Sequence, residues 1–273
     1  MQTDHEEYSG PALIKEYFEG IWRDRYILMS LVKQDLQLKY KRSVLGIAWA
    51  IITPLGLVLI IGVVWTMVFG ADPRVFIPLL FSGLNTWLFI NASADGGSMA
   101  LLAAEGYLKQ TTVNAQIFPI RVALVAFINL LYAVLTFFGI YLFLQPEAFG
   151  ISMLMCIPGL AIVLIFCIAL ANFASIANLY FRDFQPLQGL ILQAFFYATP
   201  IIYPAQVLQD RGFSIIYQIN PFYYFIEIVR RPMMGNGPAQ PVEYAVAIII
   251  AAALFLISVL VVMRLKKHLA FKY

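Results

Sequence analysis

Lys39, Lys41 and Arg42 are crowded into the stretch LKYKRSVLGIAWAIITPL, directly ahead of Leu45-Gly46 and of an apolar run that holds Trp49 and Pro54. Cations gathered beside a low-dielectric surface favour an anion, and a phosphate or pyrophosphate headgroup is the chemistry they suit. The same residues also serve as a plain anchor to anionic lipid, and the two readings stay open at this level. Gly46 lets the backbone bend or approach closely, and Pro54 removes a helical hydrogen bond and permits a kink. Residues that do covalent chemistry are sparse. No G-x-x-x-x-G-K-[ST] occurs, which excludes a P-loop, and there is no H-E-x-x-H, D-x-D or Cys/His cluster. The cysteines, Cys156 and Cys167, share one apolar segment and are expected to be small apolar filler. The expectation is therefore no catalytic residue, no metal and no cofactor bound by the chain.

The elements that must hold these residues are membrane spans. The 273 residues are 62% hydrophobic and only 12% charged, more apolar sequence than a soluble domain of this length can hide. The formal charge of +3 does not point to nucleic acid, because the basic residues gather at the two ends and in a few loops rather than on one face. Six segments are long and apolar enough to cross, at about 44–69, 75–97, 119–144, 151–179, 187–204 and 243–264. The expected fold is thus an all-α polytopic membrane protein with six transmembrane helices. Residues 1–43 form an N-terminal segment, 44–264 the transmembrane domain and 265–273 a basic tail. With both termini cytoplasmic, fourteen lysines and arginines fall inside against four outside (Arg74, Arg211, Arg230 and Arg231), as the positive-inside rule requires. The first twenty residues are acidic and lack the basic-then-apolar pattern of a signal peptide, so the first span is expected to direct insertion.

Residues 12–31 place Ile14, Tyr17, Phe18 and Ile21 on one helical face, with Lys15, Glu16, Glu19, Arg23 and Asp24 opposite. This is an amphipathic helix, expected either in the membrane interface or packed on its own protein. The loop at 101–118 has helix-forming character before Gly106 and an expected stop at Pro119. Residues 205–241, broken by Asn220-Pro221, are expected to form two short helices re-entering from the outer face. Ion-coupled carriers need a carboxylate deep in the bilayer, and Asp95 and Glu105 fall only at or past the inner end of the second span. A membrane-embedded sugar transferase fares no better, since Asp35, Glu105 and Asp183 are scattered. Aromatics offer one more feature. Trp65 and Phe69, with Phe195, Phe196, Tyr197 and Tyr203, are expected at similar depth, where they either stack on sugar rings along a channel or belong to the interfacial aromatic belt.

In motif order, LKYKRSVLGIAWAIITPL, YFRDF and INPFYYFIEIVR resemble the membrane subunit of type-2 ABC exporters, specifically the permeases that export O-antigen, capsule or teichoic acid. The first is similar to that family's basic segment, Leu-Gly, tryptophan and proline. The second resembles its short inner loop before the fifth span, and the third its outer re-entrant region. The resemblance implies a permease of the bacterial inner membrane that moves lipid-linked surface polysaccharide out of the cytoplasm. It implies a dimer of this chain with two separate ATP-binding cassette subunits, which carry the ATP and Mg; no enzyme activity is expected here. Lys39, Lys41, Arg42, Leu45 and Gly46 would then lie where the lipid-linked headgroup is admitted. The helix at 12–31 with Trp22, the loop at 101–118 with Glu105 and Lys109, and the loop at 179–186 with Arg182 and Asp183 would contact the ATPase. A type-2 exporter of lipids or small lipophilic compounds is the alternative.

Overall fold

A backbone in hydrocarbon must satisfy its own hydrogen bonds, and the apolar runs do so as helices. The computed structural model describes residues 10–41 and 43–272, and among these no strand occurs. Two helices open the chain, α1 (Gly10–Arg23) and α2 (Arg25–Tyr40). After a 3-10 turn at Gly46–Ala48 come α3 (Trp49–Phe69), α4 (Pro73–Ala103), the single turn α5 (Glu105–Leu108) and α6 (Ile117–Leu144). Two further 3-10 turns lead into α7 (Cys156–Tyr180), followed by α8 (Phe184–Ala198), α9 (Gln206–Asp210), α10 (Ile215–Gln218), α11 (Pro221–Met233) and α12 (Pro241–Lys272).

Five helical segments are long and apolar enough to cross a membrane: Trp49–Phe69, Pro73–Ala103, Ile117–Phe143, Ile151–Tyr180 and Pro241–Arg264. The segment expected to cross at 187–204 folds differently. Its helix, α8, has 15 residues and ends at Ala198. That is about 22 Å of helix against a hydrocarbon thickness of about 30 Å. The stop has a local cause. Pro200 forces Thr199 into an extended conformation, φ −91° and ψ 134°, which a helix cannot continue. The Thr199 hydroxyl donates to the Phe195 carbonyl at 2.6 Å and accepts from the Asn220 amide at 2.7 Å, so the broken end is tied to the start of α11.

α4 and α7 form the centre of the bundle. At their crossing Gly97 lies against the Ala171 backbone so closely that any Cβ would collide with the Ala171 Cα. Small residues there, including Ala94, Ser98 and Ala174, let the two helices approach, the usual means of packing helices in lipid. The core around them takes Leu80, Ile90, Val163, Phe225 and Ile228. The 205–241 region holds three helical pieces, α9, α10 and α11, rather than two. The last is buried in the bundle through Phe225, Ile226, Ile228 and Val229.

The amphipathic stretch at 12–31 is not one helix. It breaks at Asp24, φ −94° and ψ 12°, and α2 runs on through the basic segment to Tyr40. Asp24, expected on the solvent face, is 7% exposed. The apolar face packs on the protein itself. Tyr17 is buried, its hydroxyl accepting from the Asn172 amide of α7 at 2.9 Å and its ring meeting Phe255 of α12 edge-on. Pro119, expected to end a helix, sits in the first turn of α6, where its missing N–H costs no intrahelical bond.

Candidate functional site

α2 runs alongside α6, and two polar contacts fix their register. Arg121 Nε lies 2.9 Å from Asp35 Oδ2 near the start of α6. Further along, Lys39 Nζ donates to Asn129 Oδ1 at 3.3 Å. Asn129 lies eight residues beyond Arg121, about 12 Å along the helix axis. Lys39 is therefore lifted to the level of the interior of α6. Its ammonium opens on a cleft of 280 Å³ between α2, α3, α4 and α6, lined also by Trp49, Thr53, Pro54, Asn85 and Phe89. Lys39 is exposed, and its partial desolvation at the cleft lowers its pKa from the ordinary ammonium value. An anion beside it would favour the charged form. The walls are mostly apolar, with two amides: Asn85 donates to the Phe81 carbonyl and Asn129 to the Val125 carbonyl, each at 2.7 Å.

Among the described residues predicted to meet a headgroup, only Lys39 lines this cleft. Lys41 is exposed just past the end of α2. Leu45 is also exposed, and Gly46 has φ +51°, a left-handed conformation that favours glycine. Arg42 lies outside the described residues. Trp49 Nε1 donates to Ser43 Oγ at 3.1 Å, pinning the segment between α2 and α3 at the mouth of the cleft. Asn85, Asn129 and Thr53 were not singled out for this site. Their signal was that of lone polar residues in apolar runs.

The predicted channel aromatics fall into two groups, one on α3 and one on α8 and the turn after it. Trp65 stacks on Phe76 at 5.6 Å and touches Phe69 at 4.3 Å. Phe195 packs on Phe222 at 5.0 Å, Phe196 on Trp87 at 5.7 Å, and the Tyr203 hydroxyl donates to the Tyr197 carbonyl at 2.9 Å. Phe69 and Tyr197 are exposed.

At the end of the bundle that carries α1, α2 and α5, Trp22, Lys109, Arg182 and Asp183, predicted to meet an ATPase, are exposed and Glu105 is half-buried. Trp22 is 70% exposed, with the Arg25 guanidinium 4.5 Å above its ring. Glu105 pairs with Lys109 at 2.7 Å. That hydrogen bond and charge lower the Glu105 pKa, with a smaller contribution from the Arg182 charge.

Beneath this surface lies a contact that sequence reasoning missed. The Asp24 carboxylate, at the break between α1 and α2, accepts the Asn114 backbone N–H at 2.8 Å. Gly20 lies so close to the Asn114 amide that a side chain there would displace it. Burial pushes the Asp24 carboxyl up, but hydrogen bonds from Arg23 and Asn114 and the Arg23 charge outweigh it, leaving the pKa below its ordinary value. The loop joining α5 to α6 is thereby locked to the α1–α2 junction.

Long apolar helices around a polar-seeded core define a multi-pass α-helical membrane protein. The chain belongs to the ABC-2 type transporter family, whose model matches residues 26–234. It is similar to proteins named O-antigen export system permease protein RfbA. One from Myxococcus xanthus is 26% identical over 203 residues, 74% of this chain and 77% of the relative. Two from Klebsiella pneumoniae are 26% identical over 249 residues (89% and 93%) and 27% over 216 residues (77% and 81%).

Proposed function

We infer that this chain is the membrane-spanning permease subunit of an ATP-driven exporter that moves lipid-linked surface polysaccharide across the bacterial inner membrane. The observation that carries this reading is Lys39, an ammonium held alongside α6 at a cleft with mostly apolar walls. A phosphate or pyrophosphate linker would meet Lys39 and the two amides, and the lipid tail would lie along the apolar wall. The names of the RfbA relatives support the polysaccharide class.

In this reading two copies act with two ATP-binding cassette subunits that bind ATP and Mg. The α1 end faces the cytoplasm, as its basic residues favour, and α8 with the turn after it completes a short sixth crossing. Residues 1–43 are the cytoplasmic segment, 44–264 the transmembrane domain with its re-entrant region at about 205–241, and 265–273 the tail. The exposed Trp22, Glu105, Lys109, Arg182 and Asp183 receive the ATPase. The Asp24–Asn114 contact then makes α1, α2 and the α5 loop respond together.

An exporter of lipids or small lipophilic compounds is the second reading, favoured by a wholly apolar cavity of 320 Å³ lined by Leu55, Leu59, Ile77, Phe81 and Phe137. Deleting the gene in its own host separates the two. Polysaccharide export predicts loss of surface polymer, retention of lipid-linked polymer inside the cell, and rescue by the intact gene together with its cassette partner. Normal surface polysaccharide after deletion overturns the leading reading.

A further inference from the structure

At the end of the bundle opposite α1, a cavity of 420 Å³ opens between α11, the turn leading into α9, and the first residues of α12. Its size is ordinary for a small-ligand site and exceeds what one pyranose ring needs. Its chemistry differs from that of every other cavity described above. Four charged side chains line it, two of each sign. Arg230 Nη1 lies 2.9 Å from Glu227 Oε1, and Arg231 Nη1 lies 3.8 Å from Glu243 Oε2. The charges therefore cancel, which selects against a ligand with net charge. Tyr217 and Tyr223 face the cavity with ring centroids 4.8 Å apart, offering an aromatic surface with polar tips. Gln206, Gln209 and Asn236 supply amides at the margin, each both donor and acceptor.

The floor is rigid. Arg230 is 4% exposed, with Nη1 donating to the Pro200 carbonyl at 2.8 Å and Nη2 to the Ile201 carbonyl at 3.4 Å. Gly83 of α4 lies against its guanidinium and Gly159 of α7 against the Ile228 carbonyl, so α11 is clamped from two sides. Arg230 Nε, also buried, has no hydrogen-bond partner among the described residues.

We propose that this cavity is a saccharide site that takes a neutral hexopyranose unit, its C–H face on Tyr217 or Tyr223 and its hydroxyls on the amides and paired charges. Planar groups that both donate and accept match vicinal hydroxyls, which also do both. The inference rests on the proposed function for its direction, since it puts the site at the outer mouth of the export path. There a weak, reversible hold on successive sugar units would keep the polymer in the path without arresting its advance.

Saturation-transfer NMR on the full chain in nanodiscs tests it, with neutral methyl hexopyranosides and free glucuronate as probes. The expected result is millimolar binding of at least one hexopyranoside, about tenfold weaker in Tyr217→Ala and in Gln209→Ala, with glucuronate binding no better. Gln209 is exposed, so that variant keeps the fold, and tryptophan fluorescence and monodispersity verify each preparation. No binding by any hexopyranoside, preferred binding of glucuronate, or binding unchanged in both variants overturns the proposal. Binding here together with normal surface polysaccharide in the deletion strain would instead overturn the export reading and leave the site standing. Loss of export without hexopyranoside binding does the reverse.

Discussion

At Lys39 the argument turns on where one ammonium is held. Under the proposed function, replacing it with glutamine would remove a charge-assisted hydrogen bond to a linker phosphate, worth about 1.5–3 kcal/mol. Export in the Lys39→Gln strain should fall about tenfold or more, with lipid-linked polymer retained inside and normal amounts of the protein in the membrane. Asn129→Ala, which leaves the ammonium but frees its direction, should lower export only a few-fold. Quantified surface polysaccharide checks both, and wild-type export by Lys39→Gln removes the cleft from the mechanism. Asp24 gives a different prediction. Its folded pKa is depressed, so the stability it supplies is fully present above the ordinary carboxylate value near pH 4 and is lost as pH falls through the lower folded value. Asp24→Asn should cost about 1–3 kcal/mol at neutral pH and flatten that acid dependence. Thermal unfolding in detergent across pH reads this directly, and an unchanged acid limb would contradict it. The sequence marked Lys39 as chemistry by its basic neighbours. It mis-assigned Asp24 to solvent because helical periodicity continues through residue 24, and nothing local reveals that Asn114 waits for the carboxylate.

Between α8 and α11 the chain solves a problem of broken backbone. Thr199-Pro200 ends α8 inside the bundle and leaves carbonyls without helical partners. Arg230 supplies donors to Pro200 and Ile201 while holding Glu227, so one side chain caps one element from another. Removing one member of a buried pair strands the other, at a cost of about 3–5 kcal/mol. Arg230→Met should therefore give little folded protein. Arg230→Lys should recover only part of the stability, because a single ammonium cannot reach the carboxylate and both carbonyls as the planar fork does. Unfolding midpoints of detergent-purified variants test the order wild type, Lys, Met. Equal midpoints would show that α11 is held by its apolar face alone. The proline that stops α8 was visible in YATPIIYP, and Glu227 with its arginines in FIEIVRR. Their meeting was not, since it links residues thirty apart through a turn.

The whole molecule leaves large apolar faces uncovered. α3 buries only Ala50, Val58 and Gly62, and α8 only Gln188 and Leu192. Lipid satisfies such faces, and so does a second copy. Under the proposed function, native mass spectrometry of material released in mild detergent should give two permease chains with two cassette subunits. A chain that leaves its own membrane alone, without a P-loop protein, would count against that assembly. The exposed surface at the α1 end makes the companion prediction under the same reading. Trp22→Ala with Glu105→Lys should weaken cassette retention several-fold while the permease stays folded, because their contacts, Arg25 over Trp22 and Lys109 with Glu105, stay within one turn of their own helices.

The sequence by itself determined the class of protein, the long crossing helices, the amphipathic opening and the absence of a P-loop. These depend on local quantities: the length of an apolar run, its period and the presence of a motif. A bilayer tests each segment nearly independently. Tertiary structure decided which isolated polar groups meet: Lys39 with Asn129 and Asp24 with Asn114, each pair ninety residues apart, and Arg230 with Pro200. It also decided that the fifth apolar run stops after 15 residues and that the N-terminal helix breaks in two. Such meetings depend on how closely and at what register helices cross. Here that is set by the small residues at Gly83, Gly97 and Gly159, and no one segment carries that information alone.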